Sequence, residues 1–277
     1  MRLKSRLSAV PYLFWLVVFI LLPLLLFFYY GFTVKDGEGV RFSLQNFQTF
    51  FHSGNYIQVF LRSLYCAGVS TVICLVVGYP AAMLLASPRY RKNGFLLSLV
   101  VIPMWMNLLL RTYSWLTILE NNGILNSLLQ WMGFAPKVWL YGEGAVIFGM
   151  VYNFLPFMIL PIYSVMVKID DSLLEASSDL GASQARTFMK ITFPLSLSGV
   201  MSGITMVFMP AVTTFAISEI LSGRKVALLG NFIEAQFTTV GNWHFGSALS
   251  IILIVIILIG MGFASRYEKD EGVGGLL

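Results

Sequence analysis

Long apolar runs alternate with short polar links along this chain. Six runs, near residues 10–32, 59–86, 94–118, 143–167, 195–221 and 245–266, are long enough to cross a bilayer. The hydrocarbon core is roughly 30 Å thick and an α-helix rises about 1.5 Å per residue. Backbone groups inside lipid must pair within their own segment, so each run is predicted to be a helix. A transmembrane β-barrel would need alternating apolar and polar positions, and these runs are continuous. The expected fold class is an all-α integral membrane protein with six transmembrane helices.

Composition agrees with that pattern. Hydrophobic residues fill 57% of 277 positions and charged residues only 11%, with a mean hydropathy of +0.80. Lipid is the expected solvent and the membrane the expected location, with the chain passing through it several times. Lys and Arg set the orientation. Arg2, Lys4, Arg6, Arg89, Arg91, Lys92, Lys168, Arg186, Lys190, Arg266 and Lys269 fall on one side, 11 of the 18 basic residues. The other seven, Lys35, Arg41, Arg62, Arg111, Lys137, Arg224 and Lys225, include two in the ends of runs, and the links on that side are longer, so the positive-inside rule predicts both termini in the cytoplasm. The net charge of +5 follows from that rule, and nucleic-acid binding is not expected. The first run has a basic start but ends in Phe27-Phe28-Tyr29-Tyr30 without a small-x-small site, so it is expected to stay as an anchor. Cys66 and Cys74 lie eight apart in one run, about 12 Å along a helix, too far to bridge. Core packing is their expected role.

Three regions are expected: 1–58, an N-terminal span with an external aromatic link; 59–268, the main helical unit; and 269–277, a cytoplasmic tail. Gly68, Gly78 and Pro80 in the second run, and Gly199, Gly203 and Pro210 in the fifth, suit close helix contacts and bends. The third run turns polar midway, with Asn107, Arg111, Thr112, Tyr113, Glu120, Asn121 and Asn122. Arg111 is expected to snorkel to the outer interface. Residues 124–132 read as a short amphipathic surface helix ended by Gly133, and 222–244 as partly re-entrant or surface-lying.

The polar stretch 170–194, DDSLLEASSDLGASQARTFMKITFP, is predicted to fold on the cytoplasmic side. Ser172 and Glu175 form a capping-box pattern, Gly181 suits a left-handed stop, Ser183 can cap a second helix, and Pro194 marks the start of the fifth run. Two short helices with a bend between them result, the first carrying a small-residue face.

At these residues the chain resembles the permease subunits of ATP-binding-cassette importers, whose loop reads E-A-A-x-x-x-G with a downstream I-x-L-P. Here it stands as Glu175-Ala176-Ser177, Gly181-Ala182 and Ile191-Thr192-Phe193-Pro194, with Ser for the second Ala and Phe for Leu. The resemblance implies the type I importer permease fold and an ATPase-coupling role for Ser172, Glu175, Ala176, Gly181, Ala182 and Pro194. GYPAAMLLA (78–86), IPMWMNLLLRTYSW (102–115), NGILN (122–126), FLPFMILPIYS (154–164) and the stretch 228–250 resemble the polyamine (spermidine/putrescine) permeases of that family. That likeness implies a polyamine cargo in a bacterial inner membrane. Its implied partners are a second permease, an ATPase dimer holding ATP and Mg, and an extracytoplasmic polyamine-binding protein.

The chain itself offers little catalytic chemistry. His52 and His244 are lone and expected at the interface, and no HExxH, CxxC or G-x-x-x-x-G-K-[ST] occurs. No cofactor or metal is expected to bind it, and it is read as a transporter subunit rather than an enzyme. A polycation path needs sparse carboxylates and aromatic faces, each ring attracting a cation by about 0.5–2 kcal/mol. Glu219 and Glu120 are the candidate acids, Trp105, Tyr113, Trp115 and Tyr152 the candidate faces, and Asn107 and Asn153 the candidate polar lining. Alternatively the acids pair with Arg111 or Arg224 and the rings form an interfacial belt. Sulfate, molybdate or thiamine permeases share the loop. An ion-coupled secondary transporter would show repeated halves and unpaired mid-membrane charges.

Overall fold

Chain order in the computed structural model, which describes residues 11–36, 39–91 and 94–268 with side chains as far as Gly262, follows the apolar pattern. Helix α1 covers Pro11–Gly31. Strand β1 (Thr33–Asp36) then pairs antiparallel with β2 (Gly39–Phe42), with Val34 opposite Arg41. The helices that follow are α2 (Gln45–His52), α3 (Gly54–Ala86), α4 (Gly94–Trp105), α5 (Leu108–Leu119), α6 (Ile124–Trp131), α7 (Glu143–Met166) and α8 (Asp171–Asp179). After the bend come α9 (Gln184–Leu195), α10 (Leu197–Thr213), α11 (Ala216–Ser222), α12 (Leu229–Ala235) and α13 (Trp243–Glu268). Arg2, Lys4, Arg6, Lys92, Lys269 and the tail 269–277 lie outside the described residues, as does the side chain of Arg266.

Among the described residues, α1, α3, α7 and the stretch Trp243–Gly262 are long and apolar enough to cross a membrane. The number rises to six if two bent pairs each count as one span. The run 94–118 is therefore not a single helix: α4 stops at Trp105 and the following run turns by 95°. Pro103 lacks an N–H, and Asn107 restarts the helix by accepting the Leu109 and Leu110 N–H groups on Oδ1 at 2.8 and 3.3 Å. The run 195–221 is also divided. Helix α10 ends at Thr213, where Thr214 turns extended (φ −65°, ψ 141°), and α11 follows as a separate piece.

The chain forms two units. One joins the described part of Met1–Phe60 to Leu229–Ile256. Here Thr33 donates from Oγ1 to the Tyr29 carbonyl at 2.6 Å. His244 Nδ1 lies 3.1 Å from that hydroxyl and 3.2 Å from the Tyr30 carbonyl. Both neighbours can only accept from the ring, so Nδ1 carries the hydrogen. His244 is thus buried and structural, not an interface residue as expected; the exposed His52 instead meets the Gln48 carbonyl at 2.9 Å. Asn46 ties the hairpin to its helix by donating from Nδ2 to the Thr33 and Gly31 carbonyls. Tyr56 sits edge-on to Phe232 at 5.7 Å and tilted against Phe245 at 5.0 Å. The link 222–244 contributes α12 and a wider turn, Gln236–Val240, stopped by left-handed Gly241, with Leu229, Gly230 and Gln236 buried.

The other unit joins Leu61–Leu228 to the described part of Ile257–Leu277, with α7 at its core. Val146, Met150, Met158 and Ile162 of α7 are fully buried. Small residues bring its neighbours close. A Cβ on Gly203 would stand 2.7 Å from Met158 Sδ, one on Gly199 2.9 Å from the Pro161 carbonyl, and one on Gly78 3.0 Å from Met158 Cγ. Gly68, by contrast, faces open space. Cys66 and Cys74 are buried and unbridged. Arg62 pairs with Glu143 at 3.1 Å. The expected surface helix is α6, followed by Gly133 at φ +85°. Its one buried residue, Asn126, clasps the links on either side of it through the Glu120, Asn121 and Lys137 carbonyls and through Trp139 Nε1.

Candidate coupling loop and acidic cleft

The stretch 170–194 folds into α8, a bend and α9. Asp170, not Ser172, is the N-cap of α8: its backbone is extended and its Oδ1 accepts the Ser172 N–H at 2.9 Å. The expected Ser172–Glu175 capping box is therefore replaced by a carboxylate two residues earlier, whose full charge binds an orphan N–H better than a hydroxyl does. That hydrogen bond holds the Asp170 carboxyl below the usual carboxylate range. Arg91 Nη2 grips Asp171 Oδ2 at 3.0 Å in the same turn. Gly181 takes φ +75°, the left-handed stop expected of it. Ser183 Oγ accepts the Arg186 N–H at 3.4 Å and opens α9. Ser177 and Thr187 hydroxyls meet at 2.8 Å and zip the two helices together.

Glu175, Ala176, Ala182 and Pro194 all belong to this bent pair of helices. Pro194 falls in the last turn of α9, and the chain bends by 62° before α10. Leu180 projects from the bend almost fully exposed. Behind the pair lies a largely apolar cavity of about 460 Å³, walled by Met83, Met166, Ile169, Leu174, Ala182 and Phe188 among others. Sequence reasoning did not find Arg91 and Thr187, because their partners lie 80 and 10 residues away and no local pattern marks them.

Two of the proposed path residues come together. Tyr113 and Glu219 line one cleft of about 470 Å³ with Leu109, Leu116, Phe215, Ala216 and Ile220. Glu219 Oε1 accepts from Arg224 Nε at 2.8 Å and Nη2 at 2.5 Å, so the pairing with Arg224 set against the path reading is present. Arg224 is 82% exposed in its side chain and, like Tyr141, holds a positive φ, +66° and +70°. Left-handed backbone in non-glycine residues stores strain.

The other candidates lie apart from this cleft. Trp105 is 85% exposed at the end of α4, Asn107 is engaged as the α5 cap, and Glu120 is exposed at the end of α5. Tyr152 packs on Trp115 with ring centres 5.1 Å apart. Asn153 is buried and donates to the Gly149 carbonyl at 2.8 Å, so it points into the helix core rather than a lining surface. Arg111 corrects the snorkelling expectation: it is 7% exposed, and Nε and Nη1 are buried without a hydrogen-bond partner. It shares the buried face of α5 with Thr112 and Leu119, so the helix carries it inward.

Residues 78–270, which include both regions, match the profile of the binding-protein-dependent transport system inner membrane components, and the chain belongs to that family. It is similar to the spermidine/putrescine transport system permease protein PotB of Haemophilus influenzae, 42% identical over 252 residues, covering 88% of this chain and 87% of that protein. The PotB protein of Escherichia coli is 39% identical over 248 residues, covering 88% and 90%. The fold is similar to a chain of a bacterial ABC transporter that imports the polysaccharide alginate, with a TM-score of 0.76 and 18% identity over 97% of this chain and 95% of that one.

Proposed function

We propose that this chain is a permease subunit of an ATP-driven importer that carries polyamines across the bacterial inner membrane. The observation that carries the transport reading is the capped, bent pair α8–α9, with left-handed Gly181 between its helices and Leu180 projecting. The cargo class rests on the similarity to the spermidine/putrescine permeases.

In this reading both termini and the loop are cytoplasmic, and 59–268 is the permease domain. Two ATPase subunits, which hold ATP and Mg, grip this coupling loop and that of a second permease. An extracytoplasmic binding protein delivers cargo to the outer face. ATPase closure draws the coupling helices together and switches the cavity between outward and inward access. Glu175, Ala176 and Ala182 provide the docking surface, and Ser172 lies in the first turn beside the cap. Glu219 and Tyr113 offer the cargo a carboxylate and a ring in one cleft.

The test is uptake of labelled spermidine by cells carrying the four-component system, with putrescine, spermidine, sulfate and molybdate as competitors. Competition by polyamines alone supports the reading; competition by the anions overturns the cargo class. Glu175→Lys and Gly181→Trp should each abolish uptake while the subunits still insert and assemble. Normal uptake by both would overturn the coupling role.

A further inference from the structure

Helix α9 joins α10 at Ser196, a fully buried residue at the 62° bend. Its N–H donates to the Thr192 and Phe193 carbonyls at 3.0 and 3.2 Å. Its hydroxyl donates to the Phe193 carbonyl at 3.0 Å. A serine has one hydroxyl hydrogen, so in the 2.8 Å contact between Ser196 Oγ and Tyr79 Oη the tyrosine is the donor. A chain of hydrogen bonds thus runs from Tyr79 through Ser196 to the Phe193 carbonyl, on the last turn before the bend.

The Tyr79 ring is held at the same place. Phe188 stands edge-on to it at 5.8 Å and Phe193 tilted at 6.0 Å. Phe188 opens the wide turn Phe188–Thr192 within α9, so one side chain of α3 reaches both ends of the stretch leading to the bend. On α3 itself Tyr79 lies between Gly78, set against Met158 of α7, and Pro80. The coupling arm is also internally fixed, by Arg91–Asp171 and by Ser177–Thr187. A displacement of that arm therefore meets the membrane helices at Tyr79.

We propose that Tyr79 is a positioning residue for transport. Its ring is keyed between Phe188 and Phe193, and its hydroxyl fixes the bend at Ser196, so movement of the coupling arm is passed to α3 and α10 instead of being absorbed at the joint. This rests on the reading of 170–194 as the ATPase-coupling loop. A tyrosine serving only to fill the core would stabilise the fold without setting how much transport each ATP yields.

The experiment measures spermidine uptake per ATP hydrolysed by the complete importer in proteoliposomes, together with its melting temperature. Tyr79→Phe removes only the donor, whereas Ser196→Ala removes the acceptor together with the hydroxyl's own bond to the Phe193 carbonyl. Tyr79→Phe should lower uptake per ATP about fivefold, the ratio set by one hydrogen bond; Ser196→Ala should lower it at least as far, and the double variant no further than Ser196→Ala. Tyr79→Leu, which also loses the keyed ring, should uncouple further. A Tyr79→Phe importer with normal uptake per ATP, a change in melting temperature alone, or additive losses in the double variant would each overturn the proposal. Glu175→Lys run in parallel separates the two readings. If it uncouples and Tyr79→Phe does not, this proposal alone fails; if it leaves coupling intact, the loop reading fails and takes the proposal with it.

Discussion

Glu219 gives one carboxylate oxygen to two nitrogens of Arg224, at 2.8 and 2.5 Å. The acid proposed for the cargo path is thus already paired with a cation, one that is itself largely in solvent. An exposed pair of this kind contributes little to stability and exchanges readily. Glu219→Gln is expected to raise the KM for spermidine uptake about fivefold, equivalent to about 1 kcal/mol for a charge contact near the surface. Arg224→Gln, which frees the carboxylate, should lower KM. Initial-rate uptake with both variants checks this, and unchanged KM in both would remove Glu219 from the path.

Asp170 caps α8, so Asp170→Ala should loosen its first turn, while Asp170→Ser keeps most of the cap. Ser172→Ala should leave the cap in place, because the bond uses the Ser172 backbone. Amide exchange over residues 171–175 distinguishes these outcomes.

The same cap sets a pH window. The folded-state carboxyl lies below its ordinary value of 3.8, so its contribution is present above that value and lost as pH falls through the lower, folded one. Protection of the first turn, corrected for intrinsic exchange, should not change between about pH 5 and 8. A loss centred near neutrality would contradict the assignment.

A Cβ on Gly203 would stand 2.7 Å from Met158 Sδ and 3.2 Å from its carbonyl oxygen, so Met158 must move to admit one. Gly203→Val should therefore overpack the α7–α10 contact and cost about 1–3 kcal/mol. The fall in melting temperature of the solubilised complex should be partly recovered by adding Met158→Ala.

Arg111 buries two guanidinium nitrogens without partners, and such a charge opposes folding unless it is matched. Arg111→Met keeps the stem and drops the charge, and should leave the melting temperature unchanged or raised. A large drop would mean that the guanidinium is held by an acceptor from outside this chain.

Much of the helical layout was legible because apolar length and Gly181 are local signals. The cap was misplaced by two residues because Asp170, Asp171 and Ser172 are all competent N-caps, and the backbone decides between them. The breaks at Asn107 and Thr214 were missed because hydropathy averages over single polar residues, whereas the Asn107 side chain caps the next helix and the Thr214 backbone turns extended. The inward turn of Arg111 and the Tyr79–Ser196 contact depend on partners distant in sequence. Glu219 and Tyr113 share a cleft, while Trp105, Glu120 and Tyr152, on other turns of the chain, do not line it.

The turn after α4 has a consequence for the surrounding lipid. The 12 residues of α4 extend only about 18 Å at the helical rise, against a hydrocarbon depth of about 30 Å. The run beyond the 95° turn or a neighbouring protein surface must cover the remaining depth, or the acyl chains beside α4 shorten to match it.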